Sequence, residues 1–167
     1  MIDIKKLSKQ YFVRRLTQKD AQQVECLQQG NPMYYKFCPP APSIKNVLNQ
    51  MNALPTGKEL RDKYFIGFFE EEELIAVMDL IEAYPNQETV FIGFFMVSKE
   101  RSGLGIGSNI IKQCLHEIER QGFSFVRLGY MKGNLQSENF WRKCQFTPTG
   151  IETDNGQGIV VVLEKEL

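Results

Sequence analysis

The chain has 167 residues, a length suited to one domain over 1–167 that buries roughly two thirds of the surface its unfolded form exposes. Its 20 basic and 20 acidic residues cancel, which argues against nucleic acid as a partner, because that footprint needs a basic excess on one face. No stretch approaches the ~18 apolar residues of a membrane span. The first residues lack the apolar core of a signal peptide, and Cys26, Cys38, Cys114 and Cys144 stand far apart, outside any Cys-x-x-Cys pair. A reduced cytoplasmic protein with no membrane partner and no metal is expected.

In chain order, Tyr11–Leu16 reads as a first strand. Thr17, with Asp20 three residues on, opens a helix through about Gln28 that Gly30, Asn31 and Pro32 end. Residues 31–42 hold four prolines and three aromatics, so a constrained loop is expected there rather than a helix or strand. Ser43 caps a second helix to about Ala53, with Ile44, Val47, Leu48 and Met51 on the helical period. Three β-rich runs follow, Tyr64–Phe69, Leu74–Ile81 and Val90–Val97, joined by the acidic tip 70–73 and the turn 83–88. That arrangement predicts an antiparallel meander.

The third run leads into the most informative stretch. A polar turn, glycines at 103, 105 and 107, and then Ile110, Ile111, Cys114, Leu115 and Ile118 on one helical face, stopped by Gly122, read as buried strand, phosphate-sized loop and helix. Glycine takes positive φ and lets an anion approach the backbone. The mouth of the helix adds unpaired N–H groups and about half a positive charge. A Walker loop would end in Gly-Lys-Ser/Thr, but Ser108 and Asn109 follow Gly107. A dinucleotide fingerprint needs Gly-x-Gly-x-x-Gly near the first strand, and here the spacing is Gly-x-Gly-x-Gly past mid-chain. Phe123–Tyr130 then gives a strand parallel to the one ending at Val97, since a helix crossover joins them. Gly93, inside the third run, marks a bulge or a close backbone approach. A short helix from about Ser137 to Lys143 and the strands Phe146–Glu152 and Ile159–Glu164 complete the chain. The fold class is α/β (α+β), a mixed, largely antiparallel sheet of about seven strands with about four helices on its two faces.

Two blocks resemble the signature of the GNAT superfamily of acyl-CoA-dependent N-acetyltransferases. In the first, Gly105 and Gly107 take the glycine places of Gln/Arg-x-x-Gly-x-Gly/Ala, and Val97 takes the strand-end place eight residues before Gly105. Ser102 stands where Gln or Arg is usual, with Arg101 one position early. In the second, Asn134-Leu-Gln-Ser137-Glu-Asn-Phe140-Trp141-Arg-Lys-Cys-Gln-Phe146 is similar to Asn-x-x-Ala/Ser-x-x-Phe-Tyr-x-x-x-Gly-Phe. The resemblance covers residues 60–167 well. It implies acetyl-CoA as cosubstrate, and strands before and after the loop that splay apart at the C-terminal edge to admit the pantetheine arm. Backbone groups of Met96 and Val97 would pair with that arm. Ser102, Gly103, Leu104, Gly105, Ile106, Gly107 and Ser108 would hold the pyrophosphate, and Asn134, Ser137, Phe140 and Trp141 would complete the cofactor side. Tyr34, Tyr35 and Phe37 would line the acceptor pocket, the acceptor being a small-molecule or protein amine. Dimers are frequent among relatives, so a homodimer is among the assemblies the resemblance implies.

Direct acetyl transfer needs a neutral amine, a polarised thioester carbonyl and a protonated leaving thiolate. For an amine of lysine-like pKa, deprotonation at pH 7 costs roughly 4–5 kcal/mol. The Val97 N–H can serve as oxyanion donor. Trp141 occupies the place where many members carry a tyrosine acid, and an indole N–H cannot protonate a thiolate in the same way, so Tyr130 on the adjacent strand is the candidate acid, with solvent as the alternative. The usual base position falls near Phe91. The nearest carboxylates are Asp79 and Glu82, with Glu88 at the turn. His116 lies on the polar face of its helix and reads as a solvated residue. Two rivals remain open: a catalytically silent acyl-CoA-binding domain, and a nucleotide-binding module.

Overall fold

The computed structural model describes residues 1–167. Its strands are β1 (Phe12–Arg15), β2 (Lys63–Glu70), β3 (Glu73–Ile81), β4 (Thr89–Val97), β5 (Phe125–Met131), β6 (Thr147–Asp154) and β7 (Ile159–Glu166). They form one sheet in the order β1-β2-β3-β4-β5-β7-β6. Every neighbouring pair is antiparallel except β4 and β5. The helices are α1 (Ala21–Gln29), α2 (Pro32–Tyr35), α3 (Ile44–Asn52), α4 (Ile106–Arg120) and α5 (Leu135–Lys143). Because β2 and β3 lie mid-sheet with helices over both faces, both are buried along nearly their whole length, as their unbroken apolar runs require.

Each face of the sheet carries its own core. Ile110, Ile111, Cys114 and Ile118 of α4 and Trp141 of α5 pack with Ile66, Met78, Ile92 and Leu128 on one side. Val24 and Leu27 of α1 and Val47 of α3 pack with Phe65, Val77, Phe94 and Met96 on the other. No helix is long and apolar enough to cross a membrane.

The stretch expected to be loop, 31–42, contains the one-turn helix α2. Proline is tolerated in the first turn of a helix, where its missing N–H would have had no partner anyway. Helix α5 starts at Leu135 rather than Ser137, because the Asn134 side chain caps it by accepting from the Ser137 N–H at 3.2 Å. Thr17 and Asp20 do form the expected capping box, but around a single 3-10 turn that precedes α1.

Two irregularities open the sheet at one place. The parallel pairing of β4 with β5 covers only Thr89–Ile92 against Phe125–Leu128, so the strands fork beyond Ile92 and Leu128. At the same level Asp79 pairs with Phe94 and Leu80 with Ile92, which leaves Gly93 as an unpaired bulge. A Cβ there would stand 2.9 Å from Asp79 Oδ2, so only glycine fits this approach. Gly93 is thus both a bulge and a close contact.

Candidate active site

The fork opens into a cavity of ≈ 680 Å³ lined by β4 from Ile92 to Val97, β5 from Leu128 to Met131, the glycine loop, and Asn134, Ser137, Phe140 and Trp141 of the α5 segment. At one end of it the chain leaves β4 through a 3-10 turn, Lys99–Arg101, and reaches α4 with Gly103 and Gly105 at φ +76° and +75°. The main-chain N–H groups of residues 103–108 donate to no carbonyl in the protein, while Ser102 N–H is taken by Lys99 O at 3.2 Å. Unpaired donors at a helix mouth, with the dipole behind them, form an anion cradle. Gly107 lies where a Cβ would meet Phe140 and Val97 at 3.2 Å, so its role is close packing of α4 on the sheet. Lys99 and Lys143 line this end and form no salt bridge, whereas Arg101, also on the wall, is held by Glu70 at 2.7 Å and Glu73 at 2.9 Å. The acidic β2–β3 tip therefore serves to fix Arg101.

Along the fork, Ser98 N–H donates to Ile75 O at 2.8 Å. With the observed register, alternation turns the main-chain groups of Phe94 and Met96 toward β3 and those of Phe95 and Val97 into the gap. The main-chain groups of Met96, expected to face the gap, are thus turned to β3 and those of Phe95 face the gap instead, because an antiparallel strand offers alternate residues to each side. Val97 keeps its N–H free, while its carbonyl accepts from Asn31 Nδ2 at 3.1 Å. Asn134 Oδ1 is used by its helix cap, and its amide N–H groups donate to nothing in the protein. Phe95 stacks on Phe140 with centroids 5.9 Å apart, and Trp141, 7% exposed, packs edge-on against Phe140 and Phe146. Trp141 is a wall between cavity and core.

Tyr130 lies on the cavity wall two residues past the fork. Burial, reinforced by the nearby Glu138 carboxylate, raises its pKa and keeps its hydroxyl protonated. The two carboxylates expected near the chemistry are elsewhere. Asp79 is 7% exposed beneath Gly93, and its Oδ2 pairs with buried Lys63 Nζ at 2.6 Å while Oδ1 has no partner. Burial raises its pKa against the opposing pull of Lys63. Glu82 Oε2 accepts from Tyr64 Oη at 2.6 Å and from Ile2 N–H at 3.1 Å, and Oε1 lies 2.6 Å from the Met1 amine. Burial raises the Glu82 pKa, but these hydrogen bonds outweigh it and lower it overall. Neither carboxylate lines the cavity, so neither candidate base stands where an acceptor amine would enter.

Gly30 and Asn31, the one turn of α2 and Phe94 form another wall. Tyr34 meets the Phe94 ring edge-on at 5.7 Å and lines both the main cavity and a second one of ≈ 270 Å³ beside it. Tyr35 lines only the second cavity, and Phe37 lines neither. The Leu104 side chain is 70% exposed and off the wall, so only its backbone belongs to the cradle.

A backbone cradle at one end of a forked sheet suits a phosphorylated ligand with a long thin tail. The acetyltransferase (GNAT) family matches residues 31–146. The chain belongs to this family. Its members are acyltransferases, and the solved structures that share the fold include three with telling names. PaiA N-acetyltransferase from Thermoplasma acidophilum, in complex with coenzyme A, is 17% identical, with a TM-score of 0.67 over 93% of this chain and 98% of that one. The ribosomal-protein-S18-alanine N-acetyltransferase from Escherichia coli is 11% identical, with a TM-score of 0.64 over 92% of each chain. AAC(6')-Ib in complex with ribostamycin and coenzyme A is 12% identical, with a TM-score of 0.72 over 92% of each chain. No curated protein matches the chain in sequence.

Within this GNAT site, the residues that pattern reading missed are Phe95, Lys99, Lys143 and Asn31. Phe95 was legible in strand alternation once Ser98 was known to pair with Ile75. The others carry no motif signal, since surface lysines and a loop asparagine are common and only the fold brings them to the cavity.

Proposed function

We propose that this protein transfers an acetyl group from acetyl-CoA to a primary amine by direct attack within a ternary complex. The observation that carries the reading is the run of unpaired N–H groups at 103–108 leading into the β4–β5 fork. That run can hold the pyrophosphate, with Lys99 and Lys143 supplying charge. Phe95 and Val97 offer main-chain groups, and Asn134 a free carboxamide N–H, to the amide-bearing arm in the fork. Acetyl-CoA supplies a thioester whose carbon accepts the amine's lone pair as the C–S bond breaks. The Val97 N–H is the donor to the carbonyl oxygen as charge develops there. Tyr130, held neutral at pH 7, gives its proton to the departing sulfur and regains one from the acceptor nitrogen through solvent. Tyr34 and Phe94 shape the acceptor's approach. Amine acceptors of both kinds fit this fold, since one similar structure is a ribosomal-protein-alanine N-acetyltransferase and another was solved with ribostamycin.

Thiol release from acetyl-CoA, measured with a panel of amines, tests the proposal. Amine-dependent release above the slow hydrolysis rate is expected. Tight acetyl-CoA binding without release on any amine would instead identify a silent binding domain, and protection of the fold by ATP or NAD but not by CoA would identify a nucleotide-binding module.

A further inference from the structure

Both cavities lack acidic side chains and histidine: their only charged residues are Lys99, Arg101 and Lys143, at the phosphate end. A polycationic acceptor would find no counter-charge on these walls, and the nearest carboxylate, Glu138 beside Tyr130, is held by Arg142 at 2.7 Å rather than free to take a proton from a strongly basic amine. The amine must therefore arrive neutral by its own chemistry. At pH 7 roughly one in ten peptide α-amines is neutral, against about one in 2,500 lysine side chains.

The second cavity adds an independent observation. It adjoins the main one at Tyr34, Cys38 and Phe94, and carries Gln28, Asn46, Asn49 and Gln50 with no charge at all. Gln28 is 2% exposed, and its Nε2 donates to Gln50 Oε1 at 2.8 Å. Gln28 Oε1 accepts no hydrogen bond and is not sealed from solvent, and Gln28 lines this cavity. Gln50 Nε2 likewise donates to nothing in the protein. A free acceptor on one glutamine and a free donor on its bonded partner, in a neutral wall, complement the N–H and C=O of a peptide amide.

Resting on the acetyltransferase reading above, we infer that the acceptor is the α-amine of a peptide chain, whose first peptide groups are held by Gln28 and Gln50. The ammonium loses a proton to water before it enters. The neutral nitrogen forms the C–N bond as the C–S bond breaks, and its second proton balances the one taken up by the thiolate, giving an acetylated N-terminus and free CoA thiol.

The test compares three acceptors with acetyl-CoA: a neutral, C-terminally amidated tetrapeptide with a free N-terminus, its N-formylated counterpart carrying one lysine, and spermidine. The first is expected to have a kcat/KM at least tenfold above the others, levelling off above about pH 8, where α-amines are neutral. Gln28→Leu with Gln50→Leu, which removes both partners together, is expected to raise the peptide KM at least tenfold with kcat little changed. Gln50→Glu keeps an acceptor for Gln28 Nε2 while deleting the free donor, and gives the same KM rise should the double variant not fold. Equal or better turnover of the lysine peptide or spermidine, or an unchanged peptide KM in these variants, overturns this inference and leaves the acetyltransferase reading standing. Absence of turnover on every amine overturns both.

Discussion

Lys63→Met isolates the buried ion pair beneath the bulge. Lys63 is 3% exposed and Asp79 7%, and the carboxylate has no other partner, since Oδ1 is unpaired and Oδ2 is bound only by Lys63. Removing the ammonium strands a charge in an apolar layer between Phe65 and Phe94, at a cost of about 3–5 kcal/mol. The loss has a ceiling. Neutralising a carboxyl of ordinary pKa at pH 7 costs about 4 kcal/mol, after which the buried acid is merely polar. For a chain of this size that corresponds to a fall in Tm of roughly 6–20 °C. Trp141 is the sole tryptophan and is buried among Phe95, Phe140 and Phe146, so its fluorescence in a urea titration reads unfolding directly. In the variant the folded-state pKa of Asp79 stands above its unfolded value. The deficit is therefore smallest below about pH 4 and grows as pH rises through the folded pKa. Replacing both residues, Lys63→Met with Asp79→Leu, is expected to recover stability to within about 1 kcal/mol of the parent. A single variant that loses less than about 1 kcal/mol at pH 7, or a deficit that ignores pH, would refute the reasoning. The double variant also bears on catalysis: retained amine-dependent turnover is expected, because Asp79 does not reach the cavity.

Other perturbations address the site and the first helix. Gly105→Glu puts a side chain and a negative charge at the cradle and is expected to weaken CoA binding by at least 100-fold, about 2.7 kcal/mol. Gly105→Ala, which meets nothing within 4 Å, serves as the control for the strain of its positive φ, and calorimetry with CoA distinguishes the two. Tyr130→Phe is expected to cut kcat at least tenfold with acetyl-CoA affinity unchanged, in a steady-state assay of thiol release. Asp20 takes two hydrogen bonds from Arg14, at 2.8 and 3.0 Å, and one from Thr17 N–H at 2.7 Å. The Arg14 bonds foremost lower its pKa. Its contribution is thus present above its unfolded pKa near 4 and is lost as pH falls through the lower folded value. Asp20→Asn is expected to cost about 1–3 kcal/mol at pH 7 and less near pH 3 in urea titrations.

Much of the molecule was legible because its signals are local. The apolar run of Val90–Val97, the glycines after it and the amphipathic period of Ile110–Ile118 define strand, cradle and helix within a single window, and a helix between two strands obliges them to run parallel. Asn134 entered only through the family resemblance, and its bond to the Ser137 N–H, which starts α5 two residues earlier than expected, came from the structure. The roles of the carboxylates Asp79 and Glu82 were not legible, for the opposite reason. Distance from the loop in sequence says nothing about whether a charge is already satisfied, and Lys63, Tyr64 and the first residues of the chain reach them from far away in sequence.

By itself, then, the order of residues determined the elements, the sheet's mixed character and the main-chain anion cradle, all of which depend on periodicity, on missing side chains at glycine and on chain connectivity. Only the tertiary structure decided which of β4's alternate amides face the fork, that Gly93 closes over a paired and buried Asp79, and that Gln28 meets Gln50 across a wall with no charge. These follow from register and from packing between helices distant in sequence, where the free energy depends on what each polar group finds opposite it in the folded chain.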